Sequence, residues 1–155
     1  MNRTLTPLIA ALLLTTMPMA HSATKAKAKI AAPVVAPAEI EEKVVYHVND
    51  ASLARVAMRN IENHLNASPK AKIVVVTHGK GIDFLLNDAK DDKGAFAPQV
   101  AGLKNRGVTF NVCRNTLTGR NLDDSAAILE AEVVPSGVAE IGKLQAREGY
   151  VYLKP

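Results

Sequence analysis

The chain has 155 residues, of which 48% are hydrophobic, and a formal net charge of +4. This composition excludes an intrinsically disordered protein, and the length allows one domain. The sequence contains three Tyr, three Phe and no Trp, so it lacks the aromatic stacking platforms of single-strand nucleic-acid binders. Because the small basic surplus is not a basic stripe either, we expect no nucleic-acid partner.

Residues 1–22 have the layout of a secretory signal peptide. Arg3 supplies the positive charge, and an uncharged run from Leu5 to Met19 follows it. Ala20 and Ser22 then satisfy the small-x-small rule for cleavage. The run is shorter than the ~20 residues that span a bilayer, and two prolines interrupt it, which argues against a retained membrane anchor. We expect a periplasmic or secreted protein.

Residues 23–42 are rich in alanine, proline and alternating lysine. No amphipathic period persists, so we expect a disordered linker. Its three lysines are too few for a stable electrostatic membrane anchor. The folded domain is therefore predicted over residues 43–155.

Segments of strand and helix character alternate from residue 43 onward. Runs dense in β-branched and apolar residues predict strands, and apolar residues at helical spacing predict helices. The predicted strands cover residues 43–48, 72–77, 108–112, 132–134 and 150–153. The predicted helices cover residues 51–66, 82–87, 96–106 and 138–148, with a helical turn at 125–129. Residues 88–94 are predicted to form an exposed loop, and residues 114–124 a polar connection.

This alternation predicts a single α/β domain with right-handed crossovers. The run Ile73–Val76 is apolar without alternation, which is typical of a strand that is covered on both faces of a parallel sheet. The predicted fold is a five-stranded, mainly parallel sheet with helices on both faces.

Ligands of open α/β sheets bind outside the carboxyl ends of the strands. Residues at these ends are therefore the candidate site. They are His47, Asn49, His78, Gly79, Cys113, Arg114, Asn115, Pro135, Ser136 and Gly137.

The single cysteine, Cys113, has two interpretations. It cannot form an internal disulfide, so in an exported protein it is buried, bonded to another molecule or reactive. A thiolate would gain stability from a neighbouring cation or helix N-terminus, which Arg114 and the turn at Asn115 would supply. Otherwise the residue is a small packing side chain.

The two strand-end histidines, His47 and His78, also have more than one interpretation. They could orient or deprotonate the thiol, or simply hydrogen-bond the backbone at the strand ends. A metal site with Cys113 would need soft and imidazole ligands, but no close-spaced ligand pair supports it. We expect no metal and no other cofactor.

Two familiar motifs are absent from the chain. The Gly79–Gly81 segment lacks the rest of a phosphate-binding loop. Ser136 lacks the Gly-x-Ser-x-Gly elbow of α/β-hydrolases, so it is predicted to cap the following helix.

Five segments together resemble the DsrE/DsrF-like (YchN-like) superfamily, in its small exported stand-alone branch. The segments are KVVYHVN at 43–49, NIENHLN at 60–66, VTHG at 76–79, GVTFNVCRNTL at 107–117 and VPSGVAEI at 134–141. The resemblance implies a five-stranded parallel sheet of flavodoxin-like architecture and assembly as a homo-oligomer, a trimer or hexamer. It also implies persulfide chemistry, since the sulfur-relay members of this family carry persulfide on a cysteine.

The leading hypothesis is an exported sulfur carrier rather than a turnover enzyme. Cys113 would bind or relay sulfane sulfur, Arg114 and Asn115 would stabilise the persulfide, and His47 and His78 would line the pocket. A sulfurtransferase or thiol donor would be the partner. The alternative is a non-catalytic oligomeric module that binds a small ligand or a partner, with a structural Cys113.

Overall fold

The computed structural model describes residues 41–155. The predicted signal peptide, and the predicted linker up to residue 40, lie outside the described residues. None of the helices within residues 41–155 is long and apolar enough to cross a membrane.

Seven strands and four α-helices make up the described part of the chain. The strands are β1 (Lys43–Asp50), β2 (Lys72–Lys80), β3 (Lys90–Asp91), β4 (Gly94–Ala95), β5 (Thr109–Cys113), β6 (Ala131–Val134) and β7 (Val151–Leu153). The helices are α1 (Ala54–Ala67), α2 (Ala97–Asn105), α3 (Arg114–Gly119) and α4 (Gly137–Glu148), with 3-10 helices at Ala51–Leu53, Gly81–Leu85 and Asp124–Ala126.

Five of the strands form one parallel sheet in the order β6-β5-β2-β1-β7. The short strands β3 and β4 form a separate antiparallel hairpin. The predicted five-stranded parallel α/β fold is therefore confirmed.

The sheet is covered on both faces, and its two faces carry two hydrophobic clusters. The larger cluster packs α1, α2 and the Gly81–Leu85 helix against one face, around Tyr46, Val75 and Phe110. The smaller cluster packs Ile141 and Leu144 of α4 against the other face. Because neighbouring strand residues point to opposite faces, a strand that is buried on both sides has to be apolar at every position.

Helix α1 begins later than the sequence predicts. Residues 51–53 form a 3-10 turn whose first N–H groups are capped by Asp50, which accepts from the backbone N–H of Ser52. The helix buries Ala54, Ala57, Met58, Ile61 and Leu65. His64 lies at the margin, with its Nδ1 2.9 Å from the Tyr46 hydroxyl and its Nε2 2.6 Å from a carboxylate oxygen of Glu42.

Two further predictions are wrong. The polar connection after Cys113 begins as helix α3, because Leu117 is fully buried and anchors this helix to the core. The loop at 88–94 contains the β3–β4 hairpin, which Arg55 ties to α1 through Asp91 and the carbonyl oxygen of Gly94.

Strand β2 extends to Lys80, past its predicted end, and this extension matters for the site. His78 and Gly79 are strand residues rather than part of a turn, although Gly79 has a left-handed φ of 57°. Val48 pairs with Thr77 and Asp50 pairs with Lys80, so His78 and Gly79 of β2 lie opposite the single residue Asn49 of β1. This is a bulge in β2, and Gly81 packs against the backbone of Val48 and Asn49 beside it.

Candidate functional site

The thiol of Cys113 lies where β5 ends and two helices begin. Cys113 is the N-cap residue of α3 in an extended conformation, and it is 4% exposed. Gly137, the first residue of α4, packs directly against it: a Cβ added at Gly137 would lie 3.2 Å from the Cys113 Cβ. The N-termini of α3 and α4 therefore converge on one side chain.

The surroundings of Cys113 have opposing effects on its pKa. Burial favours the neutral thiol and raises the pKa, and this is the largest single influence. The backbone N–H of Gly137, the hydroxyl and N–H of Thr116 and the N–H of Asn115 together outweigh it. The pKa is held below its ordinary value. The Cys113 side chain does not cap α3 with a hydrogen bond. These groups therefore act on the sulfur mainly as oriented dipoles.

Thr116 connects the thiol to the neighbouring strand. Its Oγ1 accepts a hydrogen bond from the backbone N–H of Gly79 at 3.1 Å, which leaves its own proton free to point at the sulfur. Arg120 donates to the carbonyl oxygen of Gly79 at 2.8 Å. Thr116 of α3 and Arg120, which follows α3, thus hold the end of β2 in place.

A chain of hydrogen bonds joins the two predicted histidines to a tyrosine of β7. The Nε2 atoms of His47 and His78 are 2.7 Å apart, and the rings are stacked with centroids 4.6 Å apart. His47 Nδ1 is 2.7 Å from the hydroxyl of Tyr152. Burial, together with the nearby charges of His78 and Lys154, lowers the pKa of His47.

Gly137 also brings the histidines close to the thiol. A Cβ added there would lie 3.2 Å from the His78 Cβ as well as 3.2 Å from the Cys113 Cβ. The two Cβ atoms are therefore at most twice that distance apart. His78 and Cys113 flank the same glycine, and any larger residue at this position would press on both.

Arg114 does not have the predicted role at the thiol. Its guanidinium forms a two-pronged ion pair with Asp124, at 2.6 Å from NH2 to Oδ2 and 3.0 Å from Nε to Oδ1. Residues that follow one another at a strand end point in different directions, so adjacency to Cys113 does not bring the charge to the sulfur. Asn115 contributes its backbone N–H, which also donates to the carbonyl oxygen of Pro135.

The remaining predicted residues have structural positions around the site. Asn49 lies in β1 opposite the bulge of β2. Ser136 caps α4 as predicted, since its Oγ accepts from the N–H of Ala139 at 3.4 Å. Pro135 and Ser136 also line a groove of about 410 Å³ along α4, with Ala139, Lys143 and Arg147 among its other residues. These two residues contribute side chains to the groove, whereas Gly137 contributes to the surroundings of the thiol.

One buried acceptor lies on the same strand face as Cys113. Asn111 precedes the cysteine by two residues, so the two side chains share a face of β5. The Oδ1 atom of Asn111 is buried without a hydrogen-bond donor. Within residues 41–155, no three His, Cys, Asp or Glu side chains are placed to hold a metal ion.

Sequence reasoning missed Thr116 and Tyr152. Thr116 follows the predicted strand end by three residues, and only the presence of α3 turns it back to the sulfur. Tyr152 was placed in the last strand, but its proximity to His47 depends on the pairing of β7 with β1, in which Val45 aligns with Tyr152. The sequence contains no local signal for that pairing.

The fold and the thiol position together define a class of protein, namely small α/β domains that present a cysteine at the end of a parallel strand. The family model of the DsrE/DsrF-like family matches residues 42–155. The chain belongs to this family, as the resemblance implied. Membership indicates a role related to sulfur relay.

Two solved structures have the same fold. MTH1491 from Methanobacterium thermoautotrophicum, a protein of unknown function, is 28% identical and aligns with a TM-score of 0.68 over 74% of this chain and all of its own. The YchN protein from E. coli is 14% identical and aligns with a TM-score of 0.61 over 74% of this chain and 99% of its own. A search of curated protein sequences finds no match.

Proposed function

We propose that this protein carries sulfane sulfur as a persulfide on Cys113. The observation that supports this most directly is the position of the thiol, where the N–H groups of Asn115, Thr116 and Gly137 and the Thr116 hydroxyl hold its pKa below the ordinary value although the side chain is buried. Burial in apolar surroundings alone would raise the pKa. The N–H groups at the two helix N-termini would stabilise the anion, whether it is a thiolate or a persulfide.

The transfer step requires no outside oxidant. The Cys113 thiolate attacks the outer sulfur of a donor such as thiosulfate, a sulfur–sulfur bond of the donor breaks, and sulfite leaves with the bonding electron pair. The product is a persulfide anion on Cys113. A second thiolate, on an acceptor protein or a small thiol, takes the outer sulfur in the same way and regenerates the Cys113 thiolate.

Intact-mass spectrometry tests this proposal. The protein is incubated with polysulfide, or with thiosulfate and a sulfurtransferase, and the mass gain is assigned by peptide mapping. We expect an adduct of one sulfur atom on Cys113, which a reducing agent removes. The matched control is Cys113→Ser, which has no other cysteine to react. An equal adduct on this variant, or no adduct on the native protein, would refute the carrier function.

The burial of Cys113 favours a second function, a non-catalytic module that binds a small ligand or a partner protein. Cys113 is 4% exposed. A sulfur donor can therefore reach its thiol only when neighbouring residues, such as those at the α4 N-terminus, move. Alkylation with iodoacetamide separates the two functions. The carrier reacts at Cys113 in the native state, whereas the module reacts only after denaturation.

We also propose that the protein is exported and that a signal peptide is removed before Ala23. The basis is the small-residue pattern at Ala20 and Ser22. In a bacterial host, the N-terminus of the periplasmic protein should begin at Ala23. Ser22→Leu should block this cleavage, and Thr24→Leu, outside the pattern, should not. Recovery of the uncut native chain from the cytoplasm alone would contradict export.

A further inference from the structure

Tyr152, His47 and His78 form one continuous line of hydrogen bonds across three strands, which we call the Tyr–His–His chain. Its two links, from the Tyr152 hydroxyl to His47 Nδ1 and from His47 Nε2 to His78 Nε2, are both 2.7 Å long. In each link exactly one of the two atoms carries the shared proton. The chain therefore has only two neutral arrangements.

In the first arrangement all protons point inward. Tyr152 donates to His47 Nδ1, His47 donates from Nε2 to His78 Nε2, and the remaining proton of His78 is on its Nδ1. In the second arrangement they point outward: His78 donates from Nε2, His47 donates from Nδ1, and the hydroxyl proton of Tyr152 points to solvent. The Nδ1 atom of His78 is then bare and basic.

The two arrangements differ by the passage of one proton along the chain. If His78 Nδ1 accepts a proton in the outward arrangement, its Nε2 proton moves to His47. The Nδ1 proton of His47 moves to Tyr152, and Tyr152 releases its own proton to water. The result is the inward arrangement, and no atom has moved by more than a hydrogen-bond length.

The ends of the chain are in suitable places for such a transfer. At one end, His78 flanks Gly137 together with Cys113. At the other end, Tyr152 is 38% exposed on the edge strand β7. Because the Cβ atoms of His78 and Cys113 each lie 3.2 Å from one point at Gly137, a proton that crosses from the thiol to His78 would reach the protein surface through side chains.

We propose that the Tyr–His–His chain is a proton relay that takes up the proton of the Cys113 thiol and releases it at Tyr152. His78 is the group that receives the proton, while His47 and Tyr152 are positioning residues that act through it. The proposal adds a route for the proton to the proposed sulfur chemistry, and it applies to any reaction of Cys113 that needs the thiolate.

The surroundings of His47 favour the neutral imidazole that a relay needs. The groups that act on His47 are His78 from β2 and Lys154 beyond β7, both of which oppose its protonation, as does burial. The N–H groups of Asn115, Thr116 and Gly137, with the Thr116 hydroxyl, stabilise the thiolate that remains. A doubly protonated histidine pair would lose the central hydrogen bond.

The first test is the protonation of the two imidazoles, measured by long-range ¹H–¹⁵N NMR across a pH titration of the purified protein. Tyr152→Phe removes one hydroxyl and keeps the ring. We expect it to change the ¹⁵N shifts of both His47 and His78, although Tyr152 is linked to His78 only through His47. Tyr150→Phe removes a hydroxyl that is close in sequence but lies outside the Tyr–His–His chain, so it should leave both shifts unchanged.

The second test measures the link to the thiol. In Cys113→Ser the ring ¹⁵N shifts of His78, measured at one fixed pH, should differ from those of the native protein.

Each result decides the relay separately from the carrier function. The relay is wrong if Tyr152→Phe alters the ring ¹⁵N shifts of His47 alone, or if Cys113→Ser leaves the ring ¹⁵N shifts of His78 unchanged. If these couplings are present but no persulfide forms on Cys113, the relay stands and the carrier function is wrong. A persulfide without the couplings gives the opposite conclusion.

Discussion

At the scale of single residues, the main question is why a buried thiol should ionise readily. Each unit of pKa shift corresponds to about 1.36 kcal/mol between the two protonation states. Burial works against the thiolate of Cys113, and several N–H groups and one hydroxyl work for it. The stabilisation comes from fixed backbone dipoles at two helix N-termini, since Arg114 is paired with Asp124. Such dipoles need no mobile cation at the site.

The hydroxyl of Thr116 is the one side-chain contribution to this effect that a mutation can remove cleanly. Thr116→Val keeps the shape and deletes the donor, so the pKa of Cys113 should rise. A hydrogen bond to a charged group contributes about 1.5–3 kcal/mol, so the rise should be large enough to measure. The pH of half-maximal alkylation by iodoacetamide should move up by the same amount.

The matched control for this change is Thr118→Val, on the exposed side of the same helix. It should leave the alkylation profile at its native position. A profile for Thr116→Val that coincides with that of the control would show that the hydroxyl does not act on the sulfur. Because Thr116 also accepts from Gly79, a thermal melt of both variants should accompany the titration.

At the scale of elements, the bulge of β2 and the turn into the Gly81–Leu85 helix depend on each other. A Cβ at Gly81 would lie 2.0 Å from the carbonyl oxygen of Val48, a backbone atom that no rotamer change can move. The bulge at His78 and Gly79 and the glycine at position 81 let the end of β2 approach β1 this closely. His47 and His78 lie immediately before this contact, on neighbouring strands.

Gly81→Ala should therefore destabilise the domain and disturb the histidine pair. Overpacking in a closed interior costs about 1–3 kcal/mol, and we expect the upper part of this range because the clash is with backbone. Urea denaturation measures the loss. Gly102→Ala is the matched control, since no atom lies within 4 Å of its added Cβ and alanine favours the interior of α2 by up to ~1 kcal/mol. Equal stability of the two variants would contradict the prediction.

The elements also show what the sequence could and could not predict. Strand β2 was predicted from its continuous apolar run, which a strand buried on both faces favours, and β5 was predicted from its β-branched and aromatic residues. Helix α3 was not predicted, since its first turns are polar and only Leu117 is buried. Its existence brings Thr116 to the sulfur. Likewise, the strand-end rule brought His47, His78 and Cys113 to one edge, but it cannot tell which side chains face each other across strands.

At the scale of the whole molecule, the site lies on the sheet face that α4 covers. The smaller core there contains Val45, Val76 and Leu144, and the polar residues of the site continue the same strand faces toward their carboxyl ends. The larger core on the opposite face contributes no side chain to the site, although its Leu117 anchors the helix that carries Thr116. Substitutions in the larger core away from Leu117 should therefore affect folding before reactivity.

The two edge strands of the sheet are candidate surfaces for assembly. They are β6 and β7, and the unpaired N–H and C=O groups of an edge strand can pair with another chain. Leu129, just before β6, is 93% exposed, and Val138, just after it, is also largely exposed. We propose that the protein is a homo-oligomer, a trimer or hexamer, in which a second copy covers the side of the sheet that ends in β6.

Light scattering coupled to size-exclusion chromatography tests this assembly. The native protein should have a mass of three or six chains at micromolar concentration. Leu129→Lys replaces apolar contact area with a charge that has to be desolvated in the interface, so it should shift the protein toward the monomer. Asn63→Lys adds the same charge at an exposed position of α1 and should leave the mass unchanged. A native monomer would exclude the oligomer, and a Leu129→Lys variant of native mass would place the interface elsewhere on the surface.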